Sequence, residues 1–182
     1  MTTTDRPAVA IRFSAAEIAT RVDEMAAELA AKLPADTLVV SVLKGSFVFA
    51  ADLIRALSRA GANWSMDFLT LSSYGTATQS SGNVRIVRDI VDDVRGRDVL
   101  LVDDILESGL TLSFAKNLLK ERGAHRVWIC TLLDKPHKRR AELQADFTGF
   151  EAGDEFLVGY GLDWAHRFRG LPYIGVVEKP AA

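Results

Sequence analysis

Cysteine is almost missing from this chain of 182 residues. The one thiol, Cys130, lies in the apolar run VWICTLL, so no intrachain disulfide is available and it reads as a buried structural thiol of a reducing compartment. Net charge is also scarce: 22 Lys and Arg against 24 Asp and Glu leave -2, with a pI near 5.9. That balance offers no basic footprint for nucleic acid. No apolar run approaches the ~20 residues of a membrane span, and the opening MTTTDRPAVA lacks a basic segment followed by an apolar one. The expectation is a cytoplasmic protein with no membrane partner. No repeat and no Ser/Gly/Pro-rich linker divides the chain, which predicts a single domain over residues 1–182.

Several chemical signatures are missing too. Without G-x-x-x-x-G-K-[ST] or G-x-G-x-x-G there is no Walker-type nucleotide site and no dinucleotide fingerprint. His125, His137 and His166 show no zinc spacing, and no G-x-S-x-G marks a serine hydrolase.

What is present is an ordinary globular composition, 48% apolar and 25% charged, in a chain long enough to bury roughly 70% of its unfolded surface. Ser14-Ala-Ala-Glu17 is a capping-box pattern that predicts a helix reaching Leu33, stopped by Pro34. TLVVSVL from Thr37 is a continuous apolar run, the kind found in strands covered on both faces. Helical spacing resumes from Phe47 to Leu57. WSMDFLTL reads as a strand, then SSYGTATQSSGN as a long polar loop of the functional kind. Strand NVRIVRDI, a turn at Arg95-Gly96 and strand DVLLVDD follow. The spacing of Leu110, Phe114 and Leu118, with Ala115 and Leu119 beside them, predicts a helix between Gly109 and Gly123. RVWICTLL is a further buried strand, and EFLVGYGLDW and PYIGVVE suggest short strands around a loop. The first ten residues and the last five carry no readable signal. Alternating strands and helices imply a largely parallel sheet with helices on both faces and a ligand site beyond the carboxyl ends of its strands.

That edge carries VLLVDDILESGLTL, Val99 to Leu112. Asp103 and Asp104 end a strand, and Ser108 to Thr111 begin a helix. Gly109 permits close backbone approach, Ser108 and Thr111 bring hydroxyls, and the free N–H groups of a helix start favour phosphate. Carboxylates beside phosphate conflict unless the ligand is bipolar, with phosphate at one end and hydroxyls or Mg²⁺ at the other. A ribose 5-phosphate has that layout.

This stretch resembles the phosphoribosyl-pyrophosphate signature of the type I phosphoribosyltransferases. SVLKGSFVFAADL, SSYGTATQSSGNVRI and LVGYGLDWAHRFRGLPYIGVV resemble, in order and spacing, the hypoxanthine-guanine branch of that family, from about Leu38 to Val177. The resemblance implies an α/β fold with a mostly parallel central sheet flanked by helices, a small hood and a mobile lid loop. It implies Mg²⁺-dependent transfer of a phosphoribosyl group to a 6-oxopurine with loss of pyrophosphate. By the same resemblance, Asp103 and Asp104 hold ribose hydroxyls and magnesium, and Glu107, Ser108, Gly109, Leu110 and Thr111 cradle the 5-phosphate. Lys44, Gly45 and Arg169 take pyrophosphate, and the Leu43–Lys44 bond is often cis. Lys135, Phe156, Leu157, Val158 and Asp163 form the purine end, with Asp163 also on magnesium; Ser73 and Tyr74 tip the lid. Glu107 stands where the family has aspartate, the position that shares the purine N7 proton, and is expected to keep that role with its longer side chain folded back. A homodimer or homotetramer is implied as well. Two alternatives share the pattern: a sister enzyme preferring xanthine, and an RNA-binding pyrimidine-operon regulator, which the acidic pI disfavours. The basic run His137 to Arg140 reads as a solvated face, and Trp64, Trp128 and Trp164 as packing residues.

Overall fold

The computed structural model describes residues 8–73 and 84–177. The elements are β1 (Val9–Phe13), α1 (Ala15–Lys32), β2 (Leu38–Leu43), α2 (Phe47–Arg59), β3 (Ser65–Ser73), β4 (Val84–Arg88), β5 (Asp98–Leu106), α3 (Leu110–Glu121), β6 (Arg126–Asp134), β7 (Phe147–Glu151), β8 (Leu157–Val158) and β9 (Ile174–Val177). Six strands form the main sheet in the order β4-β3-β2-β5-β6-β7. All neighbours are parallel except β3 and β4. A separate antiparallel sheet, β1-β9-β8, forms the hood.

The apolar runs are continuous because both faces of the sheet are covered. Along β2 and β5, Val39, Leu100 and Val102 face the core beneath α1 and α2. Their neighbours Leu38, Val40, Val99 and Leu101 face the core beneath α3. Helix α1 begins with the full capping box: Ser14 Oγ accepts from Glu17 N, and Glu17 Oε2 accepts from Ser14 N at 2.8 Å. Its buried stripe is Ile18, Val22, Met25, Ala26 and Leu29, each large side chain contributing roughly 1.5–3 kcal/mol by leaving water. Cys130 is fully buried in the first of the two cores, and burial pushes its thiol pKa well up.

Four features depart from the sequence expectations. Strand β1 had no readable signal because only Phe13 of its five residues is buried. Strand β7, FTGFE, is short and interrupted by glycine, and joins the sheet through parallel pairing with β6. In α3 the buried stripe is Leu112, Ala115 and Leu119. Apolar residues at 110, 112, 114, 115, 118 and 119 allow two overlapping stripes, and packing on β5 and β6 selects between them. Trp64 packs as expected at 7% exposure, whereas Trp164 is 40% exposed and stacks on Phe168 at 6.3 Å.

The link after β4 is tied to the sheet by Asp67, whose carboxylate accepts from the backbone N–H groups of Phe68 (2.7 Å), Val91 (2.5 Å) and Asp92 (3.0 Å). Burial works to raise this carboxyl, and the three donors outweigh it, so the pKa lies below the usual aspartate value. Replacing Asp67 by Ala orphans those N–H groups and is expected to cost roughly 1–3 kcal/mol at pH 7 in denaturant unfolding. Because the folded pKa is depressed, the gap between parent and variant should hold above about pH 4 and shrink as pH falls through the folded value.

Candidate active site

Parallel pairing sets Val42 beside Leu69 and Asp103 beside Thr131, so the carboxyl ends of β2, β3, β5 and β6 open on one edge. A cavity of about 280 Å³ lies there, lined by residues 42–45, Leu71, residues 103–109, Thr111 and Leu112. It gathers Lys44, Gly45, Asp103, Asp104, Glu107, Ser108, Gly109 and Thr111, eight of the residues singled out from sequence. Leu110 opens α3 beside this cavity without lining it.

The first side of the cavity is the loop after β2. The Leu43–Lys44 peptide is cis, as the resemblance implied, and Lys44 is exposed. Gly45 leaves room for the Asp104 carboxylate: a Cβ there would stand 1.8 Å from Asp104 Oδ2, and the carboxylate would have to move. Gly161 is pressed in turn on this loop, since its Cβ would lie 2.0 Å from the Gly45 carbonyl oxygen. Three segments distant in sequence thus meet at this loop, and at Gly161, with its positive φ and a backbone oxygen in the way, only glycine fits.

The second side is the acidic end of β5. Asp103 is 8% exposed. Burial pushes its pKa well up, and the neighbouring charge of Asp104 adds to the rise. Asp104 is also raised by burial, while the field of Arg169 and backbone donors pull it partly back. Two adjacent, desolvated carboxylates call for hydroxyl donors or a divalent cation. The third side is the turn into α3. Gly109 takes a left-handed conformation (φ 79°) and offers no side chain to cap the helix; Leu110 N donates to Ser108 Oγ at a long 3.4 Å, and the other N–H groups of this helix start are placed to meet an anion.

The remaining predicted residues stand outside this cavity, and Lys135 is tied to it by a hydrogen bond to Glu107. Lys135, 2% exposed, donates to Glu107 Oε1 at 2.9 Å and to the Glu155 carbonyl at 2.8 Å. Next in chain, Phe156 is 50% exposed, free to serve as a platform, while Leu157 and Val158 are buried in β8. Arg169 donates to the Gly161 carbonyl at 2.6 Å and pairs with Asp163 at 2.6 Å. The loop between them holds Ala165, His166 and Phe168 at positive φ, strain of the kind that collects at functional sites. Asp163 is therefore engaged by Arg169, and no three carboxylate, histidine or cysteine groups converge to hold a metal among the described residues. Ser73 ends β3; Tyr74 lies outside the described residues.

Two participants were not foreseen. Gly161 acts through its closeness to Gly45, and the G-Y-G spacing was the only trace of it. Arg139, read as part of a solvated basic run, is instead turned inward: its side chain is 15% exposed and paired with Asp134. His137 and Lys138 of the same run lie closer to solvent, near Asp154.

A phosphoribosyl transferase domain model matches residues 14–164. The chain belongs to the phosphoribosyl transferase family, as the helix-start anion turn behind a buried acid pair leads one to expect. Within it, the chain is similar to the hypoxanthine-guanine phosphoribosyltransferase of Bacillus subtilis, 49% identical over 94% of this chain and 93% of that one. It is also 42% identical to the hypoxanthine phosphoribosyltransferase of Escherichia coli over 93% of this chain and 95% of the relative. The crystal structure of a hypoxanthine phosphoribosyltransferase from Staphylococcus aureus superimposes with a TM-score of 0.87 at 38% identity, covering 92% of this chain and 90% of that one.

A methyl group at Gly45 would displace the Asp104 carboxylate, and one at Gly161 would push its loop off the Gly45 carbonyl beside Lys44. Gly45→Ala and Gly161→Ala are each expected to lower kcat/KM for phosphoribosyl transfer about a hundredfold, the scale set by a misplacement near 1 Å. Steady-state assays of pyrophosphate release, with circular dichroism to verify folding, check this.

Proposed function

We propose that this enzyme salvages 6-oxopurines, transferring the 5-phosphoribosyl group of phosphoribosyl pyrophosphate to hypoxanthine and guanine to give IMP and GMP. The observation that carries the reading is the buried ammonium of Lys135, a donor-only group set between Glu107 and the carbonyl before Phe156. An oxo group at the purine 6-position accepts from it; the amino group of adenine has no acceptor there.

In this reading the purine stacks on Phe156, with backbone groups of Leu157 and Val158 at its edge. The 5-phosphate sits in the turn from Glu107 to Thr111, and Asp103 and Asp104 take the ribose hydroxyls. The C1–O bond to pyrophosphate breaks as the C1–N bond to the purine forms, through a sugar with oxocarbenium character. Lys44 and Arg169 stabilise the departing charge, and the buried acids face the cationic sugar. Mg²⁺ fits the donor set as an ion held by one or two carboxylates and by substrate oxygens. Asp103 and Asp104 would hold it, with Asp163 as a third carboxylate; when bound it would neutralise the leaving group. In this reading Glu107 shares the proton lost from the purine, and its bond to Lys135, the residue assigned to the purine 6-oxo group, supports that role. Ser73 and Tyr74 belong to the lid that excludes water. The whole chain acts as one domain, in a cytoplasmic homodimer or homotetramer, which light scattering would distinguish.

The test is pyrophosphate release with hypoxanthine, guanine, xanthine, adenine and uracil side by side. Hypoxanthine and guanine should turn over, and adenine should be at least a hundredfold slower. A dominant xanthine rate would make this the xanthine enzyme, and activity with uracil alone would remove the purine reading. Glu107→Gln should lower kcat with hypoxanthine roughly 10²-fold, the usual contribution of a positioned acid-base group; unchanged turnover would take the proton role away from Glu107.

A further inference from the structure

Behind the phosphate turn, the segment from Lys135 to Ala141 wraps its outer side. The Leu106 carbonyl accepts from Lys135 N at 3.0 Å and from Arg139 Nη1 at 3.0 Å. The Glu107 carbonyl accepts from the same Nη1 at 2.5 Å. The Ser108 carbonyl accepts from Arg140 N at 2.9 Å and Ala141 N at 3.0 Å. Three successive carbonyls are thus drawn to one side. In a planar trans peptide the N–H of the next residue points the opposite way. The N–H groups of Glu107, Ser108 and Gly109 are thereby turned from that segment, and among the described residues they have no backbone acceptor. Successive N–H groups aimed together form an anion-binding nest.

Arg139 is the side chain in this arrangement. Its guanidinium is anchored by Asp134, the last residue of β6, and the stem passes close enough that a Cβ on Gly109 would meet its Cδ at 3.1 Å. The planar fork holds two carbonyls and a carboxylate at once, a geometry that a lysine ammonium on its flexible stem does not reproduce. Its positive charge also lies behind the dipoles it orients.

We infer that Arg139 is a positioning residue for phosphate recognition: it aims the amide groups of the turn from Glu107 to Gly109 without touching the substrate. The inference rests on the proposed reaction for its kinetic readout only.

The experiment compares the parent with Arg139→Ala, Arg139→Lys and Asp134→Asn. For Arg139→Ala the KM for phosphoribosyl pyrophosphate should rise about tenfold or more, the scale of a lost charge-assisted hydrogen bond. The KM for hypoxanthine should stay within about twofold, and Arg139→Lys and Asp134→Asn should fall between parent and Arg139→Ala. Millimolar guanidinium should restore part of the affinity of Arg139→Ala, which a merely structural role would not allow. Titration calorimetry with ribose 5-phosphate reads the turn without any transfer. Weaker binding by Arg139→Ala upholds the positioning role even if no purine is turned over, in which case the proposed reaction fails alone. Equal binding by parent and variant overturns the role whatever the turnover. A fall in melting temperature with both KM values moving together overturns it too.

Discussion

The site depends on one constraint, the parallel pairing of β2, β5 and β6. Parallel neighbours end on the same edge, so the loop at Lys44, the acid pair of β5 and the segment from Lys135 arise side by side although nearly 100 residues separate the first from the last. Close approach at that edge is then limited by backbone volume. Gly45 and Gly161 remove side chains where Asp104 and the Gly45 carbonyl need the space. The same compression that lets a carboxylate sit against the Lys44 loop brings the Arg169 loop within its field.

Charge is sorted along this edge. Amide dipoles occupy the start of α3, desolvated carboxylates the end of β5, and cations the two flanking loops. The buried members of this set would be costly alone. Lys135 is nearly sealed from solvent, yet its ammonium has both a carboxylate and a carbonyl to satisfy it. Asp103 and Asp104 are less well balanced by protein groups alone, and that imbalance makes this the place for a ligand rich in hydroxyls or carrying a divalent ion. Structure and recognition therefore draw on the same electrostatics.

Much of this was legible in the chain. Continuous apolar runs at 38–43, 99–102 and 127–133 betray strands buried on two faces, and an acid pair running into Ser-Gly-x-Thr marks the phosphate end. Strand β1 was not legible because its exposed face carries Ile11 and its pattern has no clean alternation. The orientation of α3 was ambiguous because its apolar residues satisfy two stripes, and only the sheet beneath decides. Gly161 and Arg139 were hidden for another reason. Both act on backbone atoms, Gly161 on a carbonyl 116 positions earlier and Arg139 on carbonyls 33 and 32 positions earlier. A charge pattern records that Arg139 is basic; it does not record the three oxygens waiting for it.

The placement of Cys130 has a practical side. Its thiol is sealed in the middle of β6 and burial holds it in the protonated form, so alkylating reagents and mild oxidants have no thiolate to attack. The native chain is silent toward maleimide chemistry as long as it stays folded. A cysteine introduced on the surface would be the sole labelling position, and spin labels or fluorophores can be attached without first stripping the protein of its own sulfur.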